Sequence, residues 1–239
     1  MTSLLVSCDK DTDEEANPDE QTSSAPIPSY PAPSDADAVL VAVKSSMPSP
    51  VSIPNLPGGT LTIDFGMGVA LFKDRAKADK VTLNGIELSF TNGVHTWLPN
   101  LTNLSDPSSI MGINLSGDIK WSVTNPQIDK TLRGLPGTPS ITSAATLQRS
   151  DGYVLRHAAV SGAQTILYAI HANNKSVMKE LPGNSSQCTF SASELAELGT
   201  SKNAIIQANA YVINQETIGG KKIYFVRQSS YSQTGVEIK

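Results

Sequence analysis

Short runs in which apolar and polar residues alternate recur from Ala38 to the C-terminus, and turn residues separate them. Leu61, Ile63 and Phe65, for example, alternate with Thr62 and Asp64. Successive side chains of a β-strand point to opposite faces of a sheet, so this period places the apolar residues on one face. The pattern predicts an all-β fold.

Two Asn-Gly pairs support this prediction in the first half of the chain. Asn84-Gly85 separates two alternating runs, and Asn92-Gly93 follows shortly after them. Both residue types tolerate the positive φ that a type I′ turn requires, so each pair predicts a two-residue hairpin. We therefore predict a first β-domain over residues 37–136. Gly66 and Gly68, inside the alternating run, predict a β-bulge there.

The second half shows a more regular strand pattern. Residues 129–139 are rich in Gly and Pro and predict a domain boundary. Residues 137–239 then contain about seven strand-like runs in about 100 residues, the size of an immunoglobulin-like sandwich. The sequence from Leu195 to Thr200, followed by alternating Ile206, Ala208, Ala210 and Val212, resembles the turn into the penultimate strand of a fibronectin type III module. That resemblance implies a second β-sandwich, so the prediction is two β-sandwich domains. Ser191 and Glu194 predict a capping box that opens one helical turn.

The N-terminus carries a short signature of export. Residues 1–8 end in Leu5-Val6-Ser7-Cys8, with an aliphatic residue three positions before the cysteine and a small one just before it. This resembles the bacterial lipobox at the end of a truncated signal peptide. The resemblance implies that Cys8 is the lipid acceptor and that two or more acyl chains anchor the protein, which stable membrane attachment requires. The alternative is an ordinary N-terminus with a spare thiol.

An acidic stretch follows the cysteine. Residues 9–20 contain seven carboxylates and one lysine, although the whole chain has a net charge of only −4. This resembles the acidic export signal of Bacteroidetes surface lipoproteins, which implies an outer-membrane protein facing the cell exterior. A periplasm-facing position is the alternative. Residues 9–36 are rich in Pro, Ser and Asp and predict a disordered tether.

The remaining motifs favour no enzyme and no cofactor. His95, His157 and His171 lie far apart without ligand spacing, so we predict ordinary hydrogen-bonded strand or turn positions. No G-x-S-x-G elbow exposes a serine nucleophile. Cys188 has no basic residues close to it in sequence, so we predict a small buried hydrophobe rather than a reactive thiol. Lysine and arginine are scattered along the chain, which argues against a nucleic-acid partner. No apolar run reaches the length of a membrane-spanning helix.

The segment from Leu98 to Gly112 is the unusual one. It has no strand period, yet five large aliphatic side chains lie along it and Trp97 precedes it. Long loops of this kind are uncommon unless they are functional or disordered. We predict a partner-binding surface that includes Trp97, Leu98, Leu101, Leu104 and Met111. The alternative is that these side chains cover the open end of their own domain.

The functional prediction is a membrane-anchored lipoprotein whose body is a non-catalytic binding or assembly module for a protein or glycan partner at the cell surface. A structural or adhesive surface lipoprotein, similar to an adhesin or a fimbrial spacer, is the second hypothesis. A glycan-processing enzyme is the third, because a pair of carboxylates from distant strands leaves no local spacing.

Overall fold

The computed structural model describes residues 35–48, 62–99 and 111–239, and β-strands dominate these ranges. The predicted all-β fold is confirmed. The single α-helix of the described residues, α1, is one short turn at Ala192–Ala196. The strands are β1 (Ala38–Pro48), β2 (Thr62–Phe72), β3 (Lys80–Leu83), β4 (Ile86–Glu87), β5 (Ser89–Thr91), β6 (Val94–Trp97), β7 (Ile119–Thr124), β8 (Ile128–Leu132), β9 (Thr146–Leu147), β10 (Tyr153–Arg156), β11 (Thr165–Ala172), β12 (Lys175–Pro182), β13 (Gln187–Phe190), β14 (Ser201–Ile218) and β15 (Lys221–Ile238).

One long hairpin organises the fold. Strands β14 and β15 each contain eighteen residues, and Gly219-Gly220 joins them with positive φ at both glycines. They occupy the centre of a nine-stranded sheet with the order β12-β11-β14-β15-β1-β2-β6-β5, in which β9 pairs with the end of β15. Strand β1 pairs with β15 in parallel, and Leu40 lies opposite Phe225. The hairpin therefore belongs to both halves of the chain.

Two smaller sheets cover different parts of the large one. The four-stranded sheet β4-β3-β7-β8 belongs to the first half, and the two-stranded sheet β10-β13 belongs to the second. Each contributes to its own hydrophobic core. The first core includes Leu40, Leu83, Ile119, Trp121 and Phe225. The second includes Leu155, Tyr168, Phe190, Ile206 and Val236.

The predicted separation into two domains after residue 136 needs correction. The described residues from 35 to 239 form one compact unit, and the large sheet runs across the predicted boundary without a break. Ile223 and Phe225, which come from the second half, are buried in the core of the first half. The structure has two hydrophobic cores, and both pack on the same sheet.

The Gly- and Pro-rich segment that predicted a boundary is held against β15. The Arg227 guanidinium donates hydrogen bonds of 2.7 Å to the carbonyl oxygens of Arg133 and Gly134. The Ser229 hydroxyl donates another, also 2.7 Å long, to the carbonyl of Pro136. A charged donor strengthens such bonds, and burial makes an unpaired polar group costly. These contacts hold the segment that connects the two halves in place on β15.

The local turn predictions are confirmed. Asn84 and Gly85 have φ values of 49° and 82°, and Asn92 and Gly93 have values of 53° and 82°. Each pair closes a two-residue hairpin, since Leu83 pairs with Ile86 and Thr91 pairs with Val94.

The predicted capping box is also confirmed at α1. The Glu194 amide donates to the Ser191 hydroxyl, and the Glu194 carboxylate accepts from the Ser191 amide at 2.8 Å. Lys179 donates to the same carboxylate at 2.8 Å. The hydrogen bond from Lys179, followed by those from Ser191, lowers the pKa of Glu194 to about 2. The carboxylate therefore stays ionised at neutral pH and continues to cap the helix.

The histidines and Cys188 occupy the ordinary positions that the sequence predicts. His95 Nε2 accepts from the Ala78 amide at 3.2 Å, His157 Nε2 lies 2.8 Å from the Tyr168 hydroxyl, and His171 Nδ1 lies 2.7 Å from the Ser176 hydroxyl. Cys188 is buried in the second core, where burial raises the pKa of its thiol. Within the described ranges, no helix has the length and apolar character needed to cross a membrane.

Candidate partner-binding surface

The predicted partner-binding segment, Leu98 to Gly112, ends next to strand β2. The chain returns beside β2 at Gly112, which forms a parallel bridge with Gly66. The Ile113 amide donates to the Gly66 carbonyl at 3.2 Å. A Cβ atom on Gly66 would lie 1.9 Å from the Ile113 carbonyl oxygen, far inside van der Waals contact. Gly66 is therefore required for this close approach of two backbones.

The β-bulge predicted at Gly66 and Gly68 is wrong. The register of β1 and β2 is continuous from Ala38 opposite Phe72 to Pro48 opposite Thr62. These glycines serve packing instead. A Cβ atom on Gly68 would lie 3.0 Å from a methyl of Leu83 in the first core.

Trp97 supports the surface from beneath. It ends β6 opposite Gly68 and is half-buried, packed against the first core. A Cβ atom on Gly112 would lie 2.6 Å from Trp97 Cζ3, and Gly112 has a φ of 69°. Glycine at this position lets the returning chain lie directly on the indole ring. The half-buried Trp97 ring therefore supports the backbone at Gly112.

The exposed apolar residues of the predicted surface are Leu98 and Met111. Leu98 is 46% exposed and Met111 is 64% exposed, whereas Ile113 and Leu115, which follow Met111, are buried in the first core. Leu101 and Leu104 lie outside the described residues, so their place in the surface stays a prediction. Ile113 and Leu115 therefore turn into the core directly after the exposed Met111.

An apolar cleft opens beside Met111. Its volume is about 340 Å³, and its walls include Phe65, Gly66, Met111 and Ile113. Lys44 and Asp64 form its polar rim, with 3.2 Å between Lys44 Nζ and Asp64 Oδ2. The Ser46 hydroxyl donates to Asp64 at 2.6 Å. Binding sites commonly combine an apolar interior with a few fixed polar groups.

No known family model matches this chain. No curated protein matches it significantly either. Among solved structures, a Ca²⁺-stabilised, ice-binding adhesin of an Antarctic bacterium is 11% identical, with a TM-score of 0.24, over 84% of this chain and 48% of that chain. A 1.5-MDa bacterial ice-binding adhesin, described for its retention at the host cell surface, is 11% identical with the same TM-score, over 82% of this chain and 65% of that chain. The chain thus spans about half of the first and just under two thirds of the second, and likeness this weak carries no argument about what it does.

The side chains of this surface are suited to non-covalent contact. The two ionisable groups at the rim are already paired with each other, and the cleft walls are mostly apolar. A hydrophobic side chain of a partner fits such a cleft, with the Lys44–Asp64 pair available to neighbouring polar groups. The sequence-based prediction named Met111 and Leu98 but did not include Phe65, Asp64 and Lys44, which also line the cleft. The signal that could have found the cleft was a glycine inside a strand, which often marks a close approach of another backbone.

Proposed function

We propose that this protein is a lipid-anchored, non-catalytic binding module at the bacterial cell surface, and that it holds a protein partner through the surface beside Trp97. The observation that carries the binding role is Met111, 64% exposed at the edge of an apolar cleft. The anchor is supported by Leu5-Val6-Ser7-Cys8 and by the acidic stretch after it.

Methionine suits such a role. Its unbranched, polarisable side chain adapts to irregular partner surfaces. Leu98 enlarges the apolar area, and the cleft offers a place for one side chain from the partner. Large anchors seated in pockets dominate the energy of many interfaces. The apolar walls favour a protein partner over a glycan, because a sugar presents mainly hydroxyl groups.

Met111→Asp is expected to weaken partner binding by roughly tenfold or more, since it places a charge in an apolar contact. The free energy of unfolding should stay within about 0.5 kcal/mol of wild type, as is usual for exposed positions. Cross-linking in native membranes, followed by mass spectrometry, gives the set of partners, and urea titration gives the stability.

Met178→Asp is the matched control. Met178 is 48% exposed but lies on the edge strand β12 of the second half. It should keep the wild-type set of partners. If Met111→Asp keeps that set too, the surface beside Trp97 is not the binding site.

The anchor has its own test. Labelled palmitate is expected to enter the full-length protein in its native host and to be absent from Cys8→Ala. Cys188→Ala should keep the label, because Cys188 is buried in the second core. Equal labelling of wild type and Cys8→Ala excludes lipidation at Cys8.

A further inference from the structure

The structure gathers basic side chains that the sequence scatters. Lys73, Arg75 and Lys77 lie in the connection between β2 and β3, and Lys221 and Lys222 begin β15. Lys73, Lys77 and Lys221 line one cavity of about 290 Å³. We call these five residues the basic end. The prediction that lysine and arginine are dispersed therefore fails at this end of the first sandwich.

Two of these cations are held in place by packing. The aliphatic part of Arg75 lies on the turn before β6, where a Cβ atom on Gly93 would come within 2.7 Å of it. Lys77 Nζ lies 5.7 Å from the centroid of the Phe90 ring. Asp74 and Arg75 both have positive φ, 55° and 56°, a region that residues other than glycine seldom occupy. Packing contacts thus fix the conformation of this turn, and its cationic groups face solvent.

Carboxylates neutralise only part of this charge. Asp35 pairs with Lys222, and Asp37 lies 3.9 Å from Lys73 Nζ. Asp74 and Asp79 are two more carboxylates in the connection between β2 and β3. Among the described residues, no carboxylate lies within ion-pair distance of the three remaining cations, all exposed: Arg75, Lys77 and Lys221.

The described chain begins at this same end. The Asp37 amide donates to the Lys222 carbonyl at 2.8 Å, and the Lys222 amide donates to Asp37 Oδ2 at 2.7 Å. Asp35 accepts from the Tyr224 hydroxyl at 3.0 Å. Everything N-terminal to Asp35, Cys8 included, is therefore attached to the body at the basic end.

We infer that the basic end docks on the anionic headgroups of a lipid bilayer. Exposed lysine and arginine near a negatively charged membrane surface gain attraction that falls off within a Debye length. The orientation of the body toward its own membrane rests on the proposed lipid anchor, because that anchor joins the chain at this end. Binding of the basic end to an anionic bilayer does not depend on the anchor.

The test uses the full chain with Cys8→Ser, so that no acyl chain contributes. Binding is measured by co-sedimentation with vesicles of phosphatidylglycerol and phosphatidylethanolamine in equal parts, at low and at physiological salt. Vesicles of phosphatidylcholine alone serve as the neutral reference. The triple variant Arg75→Gln/Lys77→Gln/Lys221→Gln removes the three unpaired cations. Lys120→Gln/Lys175→Gln/Lys202→Gln removes the same charge from exposed positions elsewhere.

The expected result is salt-sensitive binding to the anionic vesicles, little binding to the neutral ones, and a loss of about fivefold per removed charge in the basic-end variant. The control variant should bind nearly as wild type, and both variants should keep the wild-type melting temperature. Both also carry the same acidic stretch, so any repulsion from it cancels in the comparison.

Equal losses in the two triple variants would show a response to net charge alone and overturn the inference. So would absent binding at low salt, or tighter binding to a short DNA duplex than to the vesicles. Palmitate labelling of Cys8 reads the anchor separately, so failure of the docking and failure of the anchor give different results.

Discussion

Gly66→Ala is expected to lower the free energy of unfolding by about 3 kcal/mol, at the upper end of what overpacking usually costs. The added Cβ atom would lie 1.9 Å from the Ile113 carbonyl oxygen, and backbone atoms cannot move aside as the end of a flexible side chain does. Either the Ile113 hydrogen bond to Gly66 breaks, or Ile113 and Leu115 leave the first core. Urea titration at constant pH measures the change.

Gly117→Ala is the control for this substitution. Gly117 is exposed, and a Cβ atom there would meet no atom within 4 Å. Its effect should stay within about 0.5 kcal/mol. Because Gly66 also forms a wall of the cleft beside Met111, Gly66→Ala should weaken partner binding as well. A stability close to wild type would mean that the segment 111–115 does not pack on β2 as described.

Features with local causes were predictable from the sequence. The Asn84-Gly85 and Asn92-Gly93 hairpins depend on two residues that accept positive φ. The capping box depends on Ser191 and Glu194, three positions apart. The burial of Cys188 follows from the alternation of β13, which places Cys188 and Phe190 on the buried face. In each case the chemistry lies within a few residues, so composition and spacing suffice.

Features with distant causes were not predictable. The parallel pairing of β1 with β15 joins Ala38 to Ile223, and no short-range signal encodes such a pairing. The basic end has the same origin, because Lys73 and Lys221 meet only through that pairing. No local pattern shows that Ile223 and Phe225 pack in the core of the first half. The sequence therefore predicted two β-sandwich domains and missed the sheet that joins them.

Trp97 shows the same limit within the candidate site. The sequence predicted that Trp97 belongs to a partner-binding surface, whereas its ring packs on the first core and supports Gly112. The ring lies against Gly112, where a Cβ atom would come within 2.6 Å of it. Met111, which has no such neighbour to cover it, is the residue left exposed.

The shared sheet also decides how the second half behaves alone. Residues 137–239 in isolation are expected to keep β-type circular dichroism but to lose a cooperative thermal transition, although the strand pattern by itself predicts independent folding. The fragment lacks β1, which pairs with β15 from Ile223 to Tyr231. Exposing a buried Phe or Ile costs about 1.5–3 kcal/mol per side chain, and Phe225 and Ile223 would both lose their core.

The fragment loses polar contacts as well as apolar ones. Arg227 and Ser229 are left without the carbonyls of Arg133, Gly134 and Pro136, and β15 acquires a long unpaired edge that favours aggregation. Differential scanning calorimetry of the fragment and of the full chain with Cys8→Ser compares the two directly. Ile223→Ser/Phe225→Ser in the fragment should reduce aggregation without restoring cooperativity, because β15 would still lack the pairing with β1. If the unmodified fragment melts cooperatively at the midpoint of the full chain, the second sandwich is an independent domain and the shared hairpin does not couple the two halves.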